Sequence, residues 1–376
     1  MTNNTQPKPR LPGLDLLRAI AITLVFIFHC PTFNGQPIIN FFYQSGWVGV
    51  DLFFVLSGFL IADPLFSRLA QQKTFSLKTF YIRRFMRTFP CYFVVLALYF
   101  LLPGFSERPI IAPLWQFLTF TQNMDLVVSG YSQSWSLCIE EQFYLLFPII
   151  ILFFCAKRTR RQSAMLIGAI LLAGILLRAV FWFVFVEYAG ENAIEQYFNK
   201  IYYLTFTHLD GLLLGVAVAL IKNFYVATWE KLTAYGNWLL AAGLIGTFIT
   251  LYFLLDRLAF AQVTLGFSLL AFNFALLIIA ALSPSSILYS LKIPGAASLA
   301  KWSYAIYLTH KQFIAITSKV LTDNHVPYSF FFYTGKIILI CLVGGWLLYF
   351  LVEKPFMWWR GRITDKYIAR NDGSRG

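Results

Sequence analysis

An arginine and a histidine stand eleven residues apart in the first apolar run of the chain, as Arg18 and His29. Eleven residues make about three helical turns, so both side chains share one face, about 16 Å apart along the axis. An imidazole there can act as a general base or a nucleophile. The alternative is a buried histidine whose ring bonds a backbone carbonyl.

A carboxylate opens the second apolar run, where residues 46–51 read GWVGVD. If the first two runs form a hairpin, Asp51 lies at the depth of His29. A carboxylate beside an imidazole orients its tautomer and raises its basicity. We therefore predict that Asp51 orients His29.

Three arginines open the third run within five residues, as Arg83, Arg84 and Arg87. Anchoring beside anionic lipid accounts for many such clusters. Guanidinium forks also match phosphate oxygens. Arg18, at a similar depth but inside a run, favours the second reading, so we predict that these four arginines bind phosphate.

Two carboxylates, Glu140 and Glu141, lie at the start of the fourth run. Ser136 and Glu140 are four residues apart and face the same way on a helix. An acidic first helical turn is the alternative. We predict that both carboxylates lie at the outer membrane surface and face a cavity with His29 and Asp51.

Further polar residues fall within later runs. Asp210 lies near the middle of the sixth run, and pairing with Arg178 of the fifth run would be a sufficient structural account of it. Gly211 and Gly215 have the spacing that usually means close helix packing.

The composition indicates that lipid surrounds most of this chain. The chain of 376 residues is 59% hydrophobic and 12% charged, about half the charge of a soluble domain, which excludes an ordinary soluble enzyme. The net charge of +13 comes from basic clusters between apolar runs, so we predict a membrane lipid surface and no nucleic acid as partner. Five cysteines without a CxxC pair predict no disulfide and no metal.

Runs of about twenty apolar residues predict an all-α integral membrane protein of about ten transmembrane helices. Basic residues concentrate in alternate connections, which predicts that both termini are cytoplasmic. We divide the chain into a cytoplasmic N-terminal segment (1–13), a membrane domain (14–357) and a basic cytoplasmic tail (358–376). The predicted spans are 14–30, 47–65, 85–103, 141–156, 163–186, 198–221, 237–255, 258–282, 298–318 and 332–353.

Taken in order, these segments resemble the acyltransferase-3 family of integral membrane O-acyltransferases, from Leu14 to Phe356. The resemblance is carried by residues 14–19 (LDLLRA), Arg18 with His29, residues 49–59 (GVDLFFVLSGF), the basic motif Arg83, Arg84, Arg87 and Pro90, and residues 135–141 (WSLCIEE). Each motif is weak alone, and together in this order they are specific.

The resemblance implies an enzyme of the cell inner membrane that moves an acyl group, usually acetyl from acetyl-CoA, to a saccharide or lipid-linked glycan. We predict that Arg83, Arg84 and Arg87, with Arg18, hold the phosphates of this donor, and that His29 is the base or an acyl relay. Glu140 and Glu141 would position the acceptor. The tail is short, so we expect the acceptor step to fall to the membrane domain alone or to a partner.

Two other classes of protein use intramembrane charges. A transporter or flippase for a lipid-linked saccharide needs them along its path, although we find no internal repeat of the kind many transporters show. A membrane scaffold or sensor leaves the buried charges unexplained. Consumption of acetyl-CoA with release of free thiol separates an acyltransferase from both.

Overall fold

The structure is a computed structural model and describes residues 11–36, 39–73, 75–102, 104–106, 112–124, 130–151, 160–253 and 256–373. The described residues form helices and connecting turns without a strand. The longer helices are α1 (Pro12–His29), α2 (Val48–Ala70), α3 (Leu77–Leu101), α4 (Trp135–Ile150), α5 (Arg160–Phe181), α6 (Asp210–Phe224), α7 (Gly236–Phe253), α8 (Phe267–Leu282), α9 (Ala296–Asp323), α10 (Phe330–Leu348) and α11 (Lys354–Gly373).

The helices account for the apolar runs, and all ten predicted runs overlap one of α1 to α10. Six stretches are long and apolar enough to cross a membrane: Pro12–His29, Val48–Ala70, Leu77–Leu101, Arg161–Val186, Gln262–Leu282 and Phe330–Thr364. A seventh is added if Asp210–Phe224 and the helix Val226–Ala234, bent by 108°, are one span. The all-α, multi-pass prediction is confirmed, and fewer than ten described helices meet the requirement.

Local signals set several helix starts. Pro12 opens α1, where its missing N–H costs no hydrogen bond. Ser76 caps α3, because its hydroxyl accepts a hydrogen bond from the Thr79 N–H at 3.3 Å. The basic motif therefore falls in the first turns of α3.

Glycines set the register of the central helices. Gly46, just before α2, lies against Leu24 of α1, and Gly49 of α2 lies against Ala21, each so close that a Cβ would overlap a carbonyl oxygen. The same holds for Gly215 of α6 against Val55 of α2. The close packing predicted from the small-residue spacing is confirmed.

The sixth run is broken, and the prediction of one helix over 198–221 is wrong. A π-helical turn (Phe198–Tyr202) and a short 3₁₀ turn (Thr205–Thr207) precede α6, which begins at Asp210. Because the helix is broken here, the Thr207 carbonyl is free to accept a hydrogen bond from Nη1 of the buried Arg178, at 2.7 Å. A continuous helix would have used that carbonyl internally.

The buried arginine pairs as predicted. The Arg178 guanidinium donates to Asp210 Oδ2 at 2.6 Å and to Asp210 Oδ1 at 3.1 Å. Its Nε donates to the Thr264 carbonyl at 3.1 Å. Since Arg178 is fully buried and every nitrogen has a partner, this group ties α5, α6 and the start of α8 together.

Candidate active site

One large cavity opens beside the connection between α2 and α3. Its volume is about 1450 Å³, above the roughly 300–1000 Å³ of most small-molecule sites. Its walls come from α2, α3, α4 and α9, with one residue each from α1 and α11. Exposed Gln72 and Lys73 mark its mouth, and buried Ser136 and Tyr307 its deep end.

Arginines dominate the polar lining of this cavity. All four predicted arginines line it, together with two that were not predicted, Arg68 and Arg360. Arg18 lies within electrostatic reach of Arg84 and Arg87. The sequence predicts Arg360 as part of the basic tail (358–376), and the apolar residues 356–359 before it indicate that a helix continues past the last predicted span.

Arg84 lies against two carboxylates of α4. Its Nη2 lies 3.4 Å from Glu140 Oε2 and its Nε lies 3.8 Å from Glu141 Oε1. Its guanidinium carbon also lies 3.5 Å from the centroid of the Tyr144 ring. Arg84 is therefore held by the protein itself.

The two glutamates do not form a separate outer entrance, and that expectation is wrong. Glu140 lines the cavity with the arginines, where it also accepts hydrogen bonds from Ser57 and Tyr144 at 2.9 Å each. Glu141 is buried behind the lining against Arg84. Their distances to Arg84 put all three residues at one depth, because α4 runs alongside the basic start of α3.

Asp51 does not lie beside His29, so that prediction is also wrong. Asp51 Oδ1 lies 2.8 Å from His208 Nε2, in a buried pair. With Gly49 opposite Ala21, Asp51 faces the level of Ala19, ten residues or about 15 Å along the axis from His29. The aromatic rings of Phe54, Trp135, Tyr202 and Phe267 enclose this pair.

The neighbour of His29 is a second histidine, His310 of α9. His29 Nδ1 lies 3.2 Å from His310 Nε2 and 2.9 Å from the Val25 carbonyl oxygen. His310 Nδ1 lies 2.8 Å from the Tyr307 carbonyl oxygen. His310 is fully buried, and His29 is partly exposed.

These contacts fix the tautomers of the neutral pair. A carbonyl only accepts, so His310 Nδ1 carries the proton and His310 Nε2 accepts. His29 Nδ1 faces two acceptors and carries its own proton. The lone pair of His29 therefore lies on Nε2, which makes no hydrogen bond within the described part of the chain. A nitrogen in that state can take a proton from a hydroxyl or attack an acyl carbon.

Tyr307 stands between the cavity and the histidine pair. Its hydroxyl donates to the Gln133 carbonyl at 2.9 Å and shares a 2.5 Å hydrogen bond with Ser136. Its ring meets Phe53 at 6.4 Å on the cavity wall and His310 at 5.7 Å. His29 itself is not among the residues that line the cavity.

Fold and site together define a multi-pass helical membrane protein built around an arginine-lined cavity. The sequence model of the acyltransferase domain matches residues 11–350. The chain therefore belongs to the acyltransferase-3 family of membrane acyltransferases.

Curated proteins with similar sequences are named as O-acetyltransferases, in agreement with this family. The chain is 29% identical over 365 residues to the O-acetyltransferase OatA of Staphylococcus aureus (strain NCTC 8325). This match covers 92% of this chain and 57% of that protein. It is 27% identical over 387 residues to a putative O-acetyltransferase of strain MRSA252, covering 95% of this chain and 60% of that protein. The chain thus spans about three fifths of the length of these relatives. No solved structure matches it.

Proposed function

We propose that this protein is an O-acyltransferase of the cytoplasmic membrane that transfers an acyl group, acetyl by preference, from acyl-CoA. The acceptor is a hydroxyl of a cell-envelope saccharide or lipid-linked glycan. The family and the O-acetyltransferase relatives support the reaction class. The donor, the acceptor and the roles of individual residues are our proposal.

The observation that carries this proposal is the arginine lining of the cavity. Acyl-CoA carries a diphosphate, a ribose phosphate and a long thioester arm. Guanidinium groups bind phosphate oxygens in pairs, and several of them in one partly enclosed space favour a polyphosphate ligand. In the predicted orientation, with both termini cytoplasmic, the cavity mouth at the α2–α3 connection opens to the compartment that holds acyl-CoA.

His29 is the proposed base or acyl carrier. The bare Nε2 takes the proton of the acceptor hydroxyl as that oxygen attacks the thioester carbonyl, and CoA leaves as the thiol. In the relay form Nε2 attacks first, an acyl-imidazole forms with loss of CoA, and the acceptor hydroxyl then takes the acyl group. In either form the thioester must pass Tyr307 to reach His29.

The test is thiol release from acetyl-CoA by the purified protein, with envelope glycolipid extract as acceptor. The variant is His29→Asn, whose amide can still donate to the Val25 carbonyl but has no basic nitrogen. The matched control is His325→Asn, an exposed histidine in the connection between α9 and α10. We expect a loss of at least about 100-fold for His29→Asn and unchanged activity for the control.

Mass spectrometry of the enzyme after acetyl-CoA alone separates the two forms. An acetyl adduct on the peptide that contains His29 supports the relay, and its absence supports direct attack. A folded wild-type protein that neither binds nor consumes acetyl-CoA would overturn the proposal and favour a transporter of a lipid-linked saccharide.

A further inference from the structure

The last helix returns to the cavity. α10 continues through the π-helical turn Tyr349–Glu353 into α11, and α11 packs against α3. Arg360 of α11 is half-buried and lines the cavity within electrostatic reach of Arg83 and Arg87. Like charges repel at this range. The fold thus places the Arg360 guanidinium near two like charges, and an anion bound between the arginines would offset this repulsion.

Two carboxylates of the cavity are engaged elsewhere. Glu140 forms an ion pair with Arg84. Asp63 accepts two hydrogen bonds from Lys222, at 2.9 and 3.0 Å. Neither carboxylate neutralises Arg360.

Two other carboxylates lie near the cluster. Glu353 is buried within electrostatic reach of three arginines, including Arg360. Asp15 lies within reach of Arg18. Within the described residues these two acidic groups face four guanidinium groups, on Arg18, Arg83, Arg87 and Arg360, so the cluster keeps positive charge for a ligand.

The arginines have an order along the cavity. Arg83 is exposed at the mouth, next to Arg360. Arg87 is one helical turn further along α3 and lies within reach of Arg18 as well as Arg360. An extended ligand therefore meets Arg83 and Arg360 with its outer end, and Arg87 and Arg18 with the section that follows.

We propose that Arg360, together with Arg83, binds the 3′-phosphate of acyl-CoA. This inference rests on the proposed function. The thioester must point to the deep end, where Ser136 and Tyr307 lead to the histidine pair. The 3′-phosphate is at the nucleotide end of the same molecule, so it stays at the mouth. The diphosphate lies between the thioester arm and the 3′-phosphate, so Arg87 and Arg18 bind it.

The experiment compares acetyl-CoA with acetyl-3′-dephospho-CoA as donors for wild-type protein and Arg360→Gln in detergent or lipid nanodiscs. For wild type we expect KM to be about 10- to 100-fold higher for the dephospho donor, the loss that follows from one charge-assisted interaction. Arg360→Gln should raise KM for acetyl-CoA by a similar factor and leave KM for the dephospho donor nearly unchanged. Arg360→Lys, which keeps the charge, should recover part of the difference.

The matched control is Arg362→Gln. Arg362 is exposed on the same helix, its guanidinium lies 3.6 Å from the Trp358 ring centroid, and it does not line the cavity. It should change neither KM. Thermal unfolding of each variant shows whether α11 stays folded, and Arg360→Lys remains available if Arg360→Gln does not fold.

Two results would overturn the inference. An equal rise of KM for both donors would assign Arg360 to the diphosphate or to the fold, and no change for either donor would remove it from the site. If wild type binds neither donor, the proposed function itself fails. That outcome is separate, because it precedes any comparison of variants.

Discussion

His29 and His310 lie with their rings in contact, Nδ1 of the first 3.2 Å from Nε2 of the second. This pair replaces the carboxylate and imidazole pair expected from the sequence. His310 Nε2 is an acceptor, held so because Nδ1 donates to the Tyr307 carbonyl. It therefore helps to keep the proton of His29 on Nδ1 and the lone pair on Nε2.

We predict that His310→Leu lowers kcat by about 10-fold or more, because His29 Nδ1 loses one of its two acceptors and only the Val25 carbonyl then fixes the ring. His310→Gln, whose amide oxygen can accept at the position of Nε2, should retain most of kcat. KM for acetyl-CoA should stay unchanged in both variants, since His310 does not line the arginine-lined cavity. Steady-state kinetics measure the split, and equal kcat values for the Leu and Gln variants would contradict this role.

Asp51 should couple energetically to His208 and not to His29. Replacing Asp51 by Ala leaves His208 Nε2 buried without its partner, which costs about 1–3 kcal/mol in the free energy of unfolding. A double-mutant cycle on thermal unfolding should give a coupling of about 0.5–3 kcal/mol for positions 51 and 208. For positions 51 and 29, some 15 Å apart along the helix axis, it should be close to zero. A large coupling between 51 and 29 would restore the pairing expected from the sequence.

The contrast between Asp210 and Asp51 shows what the sequence could predict. Arg178 and Asp210 were assigned to each other correctly because both are charged in apolar runs and each needs a partner. Asp51 was assigned to the wrong histidine because its depth depends on how far α2 slides along α1. That register is set by contacts at Gly46 and Gly49, which no spacing within one helix reveals.

The broken sixth run explains the rest of that error. His208 reaches Asp51 because the chain leaves the helix between 203 and 209 and folds Tyr202 and His208 inward. Apolar periodicity gives no sign of such a break. The arginine cluster needed less tertiary knowledge, since its spacing within one helix turn already placed three of its members together.

Arg84 and Arg87, three residues apart on α3, should behave differently when each is changed to Gln. Arg84→Gln removes the partner of two mostly buried carboxylates and should lower the free energy of unfolding by about 1–3 kcal/mol, between a surface pair and a fully buried one. Arg87→Gln should leave stability nearly unchanged and raise KM for acetyl-CoA. Thermal unfolding and donor kinetics on the same preparations make the comparison.

The control for Arg84 is the double variant Arg84→Gln with Glu141→Gln. Since Glu141 then needs no counter-charge, part of the lost stability should return. If Arg84→Gln instead unfolds at the wild-type temperature and changes only KM, its contacts with Glu140 and Glu141 do not hold it in place.

The orientation of the bundle is testable with two single-cysteine substitutions. Lys73→Cys lies at the cavity mouth and Asn324→Cys lies in the connection between α9 and α10; both positions are exposed. The four native cysteines within the described residues are buried, so the unmodified protein serves as the labelling blank.

The concentration of basic residues in alternate connections predicts that position 73 is cytoplasmic and position 324 is external. A maleimide that cannot cross the membrane should therefore label Asn324→Cys in intact cells and label Lys73→Cys only after the cells are opened. The reverse pattern would put the arginine-lined cavity on the outside. Because acyl-CoA is a cytoplasmic donor, that result would contradict the proposed use of the cavity even if the protein proved to be an acyltransferase.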